Sequence, residues 1–146
     1  MTEVLADGRT HFSGNFGRTT VAVEIAGHSL PLDHSRGHNH SGDVRCTGGR
    51  NPCTLVDSLS IRVNGHLVEV PRSIVTGLSD ANRAGLAVVG PGTYKLVIEG
   101  GDAAEAYTAI IRFDHKRVKQ RDIIEGEAGM LAERTVYRDL SHAFAH

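Results

Sequence analysis

The segment from Leu59 to Val70 constrains the fold of this chain more than any other. It reads LSIRV, then the dipeptide Asn64-Gly65, then HLVEV, so two runs of alternating apolar and polar residues flank the dipeptide. Asn-Gly between such runs is the strongest short-range signal of a β-hairpin, because both turn residues must adopt positive φ. The sequence therefore predicts two antiparallel strands joined by a two-residue turn. The predicted cross-strand pairs are Val63 with His66, Ile61 with Val68, and Leu59 with Val70.

The predicted hairpin has one apolar face, because strand side chains alternate between the two faces of a sheet. That face carries Leu59, Ile61, Val63, Val68 and Val70, with His66 at its end. Pro71 lacks the N–H donor that a central strand needs, so it ends the second strand. Residues 72–78 are interpreted as a helical turn and residues 79–85 as a loop.

Further strand patterns recur every 8–15 residues with Gly and Pro between them. Residues 93–99 and the run ending at Phe113 predict a second hairpin around a turn at 100–104, and 116–124 predicts another strand. Weaker or less regular predictions are a strand at 133–138, a strand at 19–25, and a turn at 26–29 leading into 30–32. This pattern predicts an all-β fold, an antiparallel β-sandwich or partly closed, jelly-roll-like barrel with one or two short helical turns at most.

Length and composition favour a single domain over residues 1–146, with 1–10 and 139–146 as termini that fray. Hydrophobic residues make up 40% and charged residues 23%, which is typical of a folded globular chain. No apolar run approaches the ~20 residues needed to span a bilayer, and no secretory leader is present. We therefore expect a cytoplasmic protein with no membrane association. The net charge of −1 predicts no nucleic-acid partner, so any electrostatic specialisation must be local.

Potential metal ligands crowd between Asp33 and Cys53, and the candidates are His34, His38, His40 and Asp43. Imidazole and carboxylate groups bind transition metals such as zinc. The glycines and serines here disfavour a helix, but in an extended segment His38 and His40 would project to the same side. With Asp43 or a remote histidine such as His66, they could hold a divalent metal. The alternative, which we favour, is a polar surface loop that holds no cofactor.

Cys46 and Cys53 are separated by TGGRNP, whose two glycines and proline allow the chain to turn back on itself. The two sulfurs could therefore form a disulfide in an oxidising compartment. In the cytosol both would be reduced thiols.

The run GHNHSGDVRCTGG resembles part of the metal-binding motif of cupins, which are jelly-roll proteins. His38 and His40 stand at the paired histidine positions, with Gly48 or Gly49 downstream. The expected glutamate is missing, and Asp43 is the nearest carboxylate. A second cupin-like run, GLAVVGPGTYK, lacks the expected histidine. The resemblance implies a metalloprotein alternative and does not assign the chain to the family.

A basic segment, RFDHKRVKQR, covers residues 112–121. On a regular strand Arg117, Lys119 and Arg121 would share one face and form a cationic stripe that contacts a partner. The competing interpretation is a solvated, charged edge strand that discourages aggregation. No P-loop, G-x-G-x-x-G or G-x-S-x-G motif is present, which gives no support for nucleotide or serine-hydrolase chemistry.

These observations predict a non-catalytic β-sandwich that acts as a binding or protein-interaction module. Its partner would be another protein or a second copy of the chain in a homodimer, contacted through loops and a sheet edge. The alternative is a jelly-roll metalloprotein that uses His34, His38 and His40, in which the metal could activate water.

Overall fold

A computed structural model describes residues 1–30, 53–101, 105–126 and 128–138, and these form two antiparallel β-sheets packed face to face. Alternating apolar residues produce this arrangement, because each sheet buries one face against the other. The ten strands are β1 (Thr2–Glu3), β2 (Gly8–Phe16), β3 (Thr19–Ser29), β4 (Thr54–Val63), β5 (His66–Leu67), β6 (Ala81–Gly90), β7 (Thr93–Gly100), β8 (Tyr107–Phe113), β9 (Val118–Glu125) and β10 (Met130–Val136). The predicted all-β sandwich is confirmed.

The strands form two meanders, since sheet neighbours are almost all consecutive in the chain. The smaller sheet has the order β2-β3-β4-β5, and the larger has the order β1-β6-β7-β8-β9-β10. Only β1 joins a strand that is distant in sequence, β6. The connectivity of the described strands is therefore simpler than that of a jelly roll, which is built from two Greek keys. Because β10 ends the larger meander, it lies at the edge of its sheet.

The predicted hairpin at Asn64-Gly65 is present, with φ values of 50° and 84° for the two turn residues. Val63 pairs with His66 as expected, and the backbone N–H of Val68 donates to the carbonyl of Ile61. The second strand ends after Leu67, however, and is shorter than predicted. From there the chain crosses to the larger sheet, where the backbone of Glu69 bonds to Lys116 and Val118.

The core lies between the sheets and includes Leu59, Ile61, Val63 and Val68 of the predicted hairpin face, whereas Val70 is only partly buried. Its fully buried side chains come from both layers: Val21, Ile25, Ile61, Val68, Leu96, Ile98, Ile111, Phe113 and Val118. At one end the ring of Tyr94 lies 5.6 Å from that of Phe16 and 5.7 Å from that of Phe113, measured between centroids. These offset, tilted contacts join the two sheets beneath the turns at that end.

The helical turn predicted at 72–78 is a 3₁₀ helix, Arg72–Val75, whose Ile74 is buried in the core. Two other predictions were wrong. Residues 79–85 were expected to be a loop, but β6 begins at Ala81. The two consecutive exposed polar residues Asn82 and Arg83 interrupt the alternating pattern by which a strand is recognised. The turn expected at 26–29 is instead the end of β3, which continues to Ser29 opposite a bulge in β4.

Candidate functional site

The predicted metal ligands His34, His38, His40 and Asp43 lie outside the described residues, so the metal site stays a prediction. Their proposed helper His66 is exposed at the tip of the β4–β5 hairpin. Among the described residues no group of three histidine, cysteine or acidic side chains is placed to hold a metal ion. Cys53 is buried, but Cys46 also lies outside the described ranges. Their pairing therefore stays a prediction as well.

The predicted cationic stripe does not form, because a β-bulge interrupts the alternation of β9. Phe113 pairs with Val118 whereas Arg112 pairs with Gln120, which leaves Lys119 as the extra residue. Beyond the bulge the side chains change faces, and Arg121 pairs with the core residue Ile111. The prediction that Arg117, Lys119 and Arg121 share one exposed face was therefore wrong.

Arg121 is buried, with only 5% of its surface exposed, and its role is structural. Its guanidinium donates to three carbonyl oxygens around the 3₁₀ helix, at 3.1 Å to Ser73, 2.8 Å to Ile74 and 2.6 Å to Thr76. Its Nε lies 3.0 Å from a carboxylate oxygen of Glu133. Within the described ranges this Nε makes no hydrogen bond, so the contact with Glu133 is an ion pair. Arg121 thus connects β9, the 3₁₀ helix and β10.

The other two basic residues also have partners within the chain. The Arg117 guanidinium donates to the carbonyl oxygen of Tyr137 over 2.7 Å. The Nζ atom of Lys119 lies 3.1 Å from the carboxylate of Asp114. Lys119 is exposed and Arg117 is half-buried, so only these two of the predicted partner contacts reach the surface.

The outer edge of β10 is the best candidate for an interaction site. Strand β10 pairs with β9 on one side, and no other strand among the described residues pairs with it. It exposes 68% of Met130, 51% of Leu131 and 63% of Val136. Native edge strands usually carry features that block pairing with other chains. Here an edge of seven residues combines exposed apolar side chains with backbone groups that no other described strand pairs.

The hydrogen-bond pattern shows which backbone groups of β10 point outward. Tyr137 donates its N–H to the carbonyl of Lys119 on β9. Successive residues of an antiparallel strand direct their N–H groups to opposite sides. The N–H groups of Arg134 and Val136 therefore face away from β9, towards the outer edge.

Side-chain contacts hold β10 in this position. Arg134 donates from Nε and Nη2 to the two carboxylate oxygens of Asp122 on β9, at 2.9 and 3.1 Å. This paired guanidinium keeps the pKa of the Asp122 carboxyl below its usual value. On the opposite face Glu133 contacts Arg121. The edge strand is thus anchored on both faces while its outer backbone stays exposed.

A shallow groove of about 420 Å³ crosses the outer face of the smaller sheet. Its floor carries Glu24, flanked by the long side chains of Arg9, His11 and Arg62. Arg9 donates a hydrogen bond to the Glu24 carboxylate and, with the nearby His11 and Arg62 charges, holds its pKa below the usual value. His11 lies 3.8 Å from the same carboxylate. The carboxylate is thus neutralised by its neighbours, and this groove has the character of a solvated ion-pair network.

A second cleft, of about 340 Å³, lies where the β7–β8 and β9–β10 connections meet. Its described lining includes Glu99, Tyr107, Thr108 and Ile124. The Tyr107 hydroxyl donates to the backbone carbonyl of Ser79 over 2.7 Å, so it already has a structural partner.

Sequence reasoning missed Met130 and Leu131 and placed the final strand too late, at 133–138. The run MLAERTV contains a bulge between Leu131 and Glu133, which breaks the simple alternation. The sequence did carry one signal for the edge position of this strand. It is the last strand-like run, and the final strand of a meander lies at a sheet edge.

Comparisons with protein-family models, with curated proteins and with solved structures gave no match. In the described part of the chain, no helix has the length and apolar character needed to cross a membrane.

Proposed function

We propose that this protein is a non-catalytic binding module that pairs an extended segment of a partner protein with the outer edge of β10. The observation that carries the proposal is that no described strand pairs with the outer backbone of β10, beside the exposed Met130, Leu131 and Val136. In β-strand addition, main-chain hydrogen bonds supply affinity and alternating side chains supply specificity.

The chemistry of the edge indicates the kind of partner segment. The N–H and C=O groups of Arg134 and Val136 would bond to the incoming strand. Leu131 and Val136 would contact its apolar side chains. Glu133 and Arg134 are already ion-paired with Arg121 and Asp122, which leaves little net charge for long-range steering. A β-branched, uncharged segment fits best. We propose that binding takes place in the cytoplasm, the location that the sequence predicts.

Site-specific photo-crosslinking tests the proposal. A benzophenone amino acid at Leu131 should capture one partner protein in an extract of the native host, and the same group at the exposed Ser58 of the smaller sheet should not. Val136→Pro should abolish capture, because proline removes an outward N–H that β9 does not use. Val136→Thr keeps that N–H and a similar shape, so it should retain capture.

Two results would contradict this mode of binding. One is equal capture from positions 131 and 58, and the other is undiminished capture by Val136→Pro. If the captured protein is a second copy of the chain, the module is a homodimer that pairs through β10, and sedimentation will show a concentration-dependent doubling of mass that Val136→Pro removes.

A further inference from the structure

Four tight connections meet at one end of the sandwich, here called the four-turn end. They are Gly17–Arg18, Asn64–Gly65, Pro91–Gly92 and Asp114–Arg117. In the smaller sheet Val21 pairs with Val63, and in the larger sheet Tyr94 pairs with Phe113. The Phe16–Tyr94 contact and the backbone hydrogen bonds of Glu69 to Lys116 and Val118 hold the two sets of turns together.

Basic residues concentrate at the four-turn end. Seven cationic side chains lie on these turns or within three residues of them: Arg18, Arg62, Lys95, Arg112, Lys116, Arg117 and Lys119. The described carboxylates there are Asp114, which is paired with Lys119, and Glu69. The chain as a whole has a net charge of −1, so this end departs strongly from the average. The local electrostatic specialisation that the sequence left open is therefore found here.

One of these charge contacts opposes folding. Lys95 and Arg112 are directly opposite each other on β7 and β8. Like charges at directly opposed positions destabilise a sheet. The charge of Arg112 helps to lower the pKa of Asp122, but the Asp122 carboxylate already accepts hydrogen bonds from Arg134. Such repulsion between neighbouring cations is expected at a surface where a bound external anion offsets it.

Exposed apolar side chains lie among these cations. Val88 and Val89 are 55% and 45% exposed and immediately precede the Gly90–Pro91–Gly92 turn. Val89 is the extra residue of a bulge between Val88 and Gly90. Leu67, which follows the Asn64–Gly65 turn, is 60% exposed. The four-turn end therefore combines basic and aliphatic groups on short hairpins.

The described residues at the opposite end of the sandwich include more acidic than basic side chains. The described carboxylates near its connections are Glu3, Asp7, Asp57, Asp80, Glu99, Glu105 and Glu125, and the described cations there are Arg9 and Arg83. Arg9 and Arg83 are ion-paired with Glu24 and Glu99. Because the basic residues lie at one end and the described acidic residues at the other, a negatively charged surface would orient the protein with its four-turn end towards it before contact.

We propose that the four-turn end docks on an anionic phospholipid bilayer, with the basic side chains on the headgroups and Val88 and Val89 in the interfacial layer. Basic clusters recognise anionic leaflets, and aliphatic side chains beside them add affinity by leaving water. A nucleic-acid partner fits less well, because the aromatic rings at this end are held in or against the core and offer no stacking platform.

Vesicle co-sedimentation at low salt tests the proposal. The full chain should bind vesicles of phosphatidylcholine with 30% phosphatidylserine, in roughly the range used to mimic a cytoplasmic leaflet, and should bind pure phosphatidylcholine at least ~10-fold more weakly. Raising the salt to about 0.5 M should remove most of the difference, because it screens exposed charges.

Paired variants locate the surface. Arg18→Glu/Lys116→Glu should weaken binding by at least ~25-fold, since each basic residue near an anionic surface contributes about fivefold. Arg9→Glu/Arg83→Glu makes the same change in net charge at the opposite end and should leave binding within about twofold. Val88→Ser/Val89→Ser should weaken binding roughly 10-fold without altering its dependence on salt. Thermal unfolding should confirm that each variant is folded.

Several outcomes would overturn the proposal. They are an absence of binding to the phosphatidylserine vesicles, equal binding to both vesicle types, and equal losses from the two charge-reversal variants. Binding of a 20-base-pair DNA duplex that is lost in Arg18→Glu/Lys116→Glu, without vesicle binding, would assign the surface to nucleic acid instead.

Discussion

Arg121 donates a hydrogen bond of 2.8 Å to the backbone carbonyl of Ile74, and this contact joins the larger sheet to the segment that crosses between the sheets. The carbonyl end of a short helix has unsatisfied acceptors, and a cation is favourable there. In this protein a buried arginine from a neighbouring strand supplies both the donors and the charge.

Arg121→Met should lower the free energy of unfolding by about 3 kcal/mol, because it removes the guanidinium that donates to the carbonyls of Ile74 and Thr76 and one of the two donors to the carbonyl of Ser73. Arg121→Lys should be intermediate, since an ammonium group cannot reach all three acceptors. Urea unfolding followed by circular dichroism measures both. Lys119→Met is the matched control, and its exposed ion pair should cost about 0.5 kcal/mol. Equal losses at both positions would contradict the structural role of Arg121.

Tyr107→Phe should destabilise the fold by about 1 kcal/mol through loss of the hydrogen bond to Ser79. Burial, with a smaller effect of the nearby Asp80 charge, raises the pKa of Tyr107 well above its usual value of 10.0. Above pH 10 the unfolded chain loses this proton while the folded chain keeps it, so stability falls as pH rises. Unfolding at pH 8 and at about pH 10.5 should show this decline in the parent protein and a smaller decline in Tyr107→Phe. Equal slopes would contradict the protected hydroxyl.

Asp114 should make stability depend on pH in the acid range. Partial burial raises its pKa, but hydrogen bonds from the Arg117 and Lys116 backbones and from Lys119 outweigh that effect and lower it to about 2. The unfolded carboxyl binds its proton first as pH falls from about 4, so the contribution of Asp114 is present above pH 4 and is lost towards pH 2. Asp114→Asn should therefore be less stable near pH 6 and should lose less stability on acidification.

Urea unfolding at pH 6 and at about pH 2.5 measures the effect of Asp114→Asn. Glu3→Gln removes an exposed carboxylate from the short strand β1 and should leave the acid dependence close to that of the parent protein. An Asp114→Asn variant with the full acid dependence of the parent would show that the turn does not hold this carboxylate in its charged form.

The parts of the fold that sequence predicted are those fixed by local geometry. Asn64 and Gly65 take the positive φ values of the hairpin turn, and the turn then sets the pairing of Val63 with His66. The alternating faces of β7 and β8 followed from period-two patterning in the same way. These features depend on residues close to one another in the chain.

The parts that sequence did not predict depend on contacts between distant residues. The bulge at Lys119 changes the face on which Arg121 lies, and no residue in the run VKQR signals it. The exposed edge at Val136 and the basic end that includes Arg18 and Lys116 both follow from strand order. Strand order is set by packing of the whole chain, so the candidate surfaces became visible only in three dimensions.

Gly27 should tolerate no side chain, because the two central strands of the smaller sheet approach closely at the bulge in β4. A Cβ atom at this position would lie 2.7 Å from the backbone carbonyl oxygen of Leu55, which cannot move without disturbing β4. Gly27→Ala should therefore cost about 2 kcal/mol, as overpacking typically does. Gly90→Ala is the matched control, since its Cβ would meet no atom of the described structure within 4 Å. It should change stability by about 0.5 kcal/mol or less. Differential scanning calorimetry compares the two variants with the parent protein, and a Gly27→Ala protein as stable as Gly90→Ala would show that β3 and β4 do not meet at this distance.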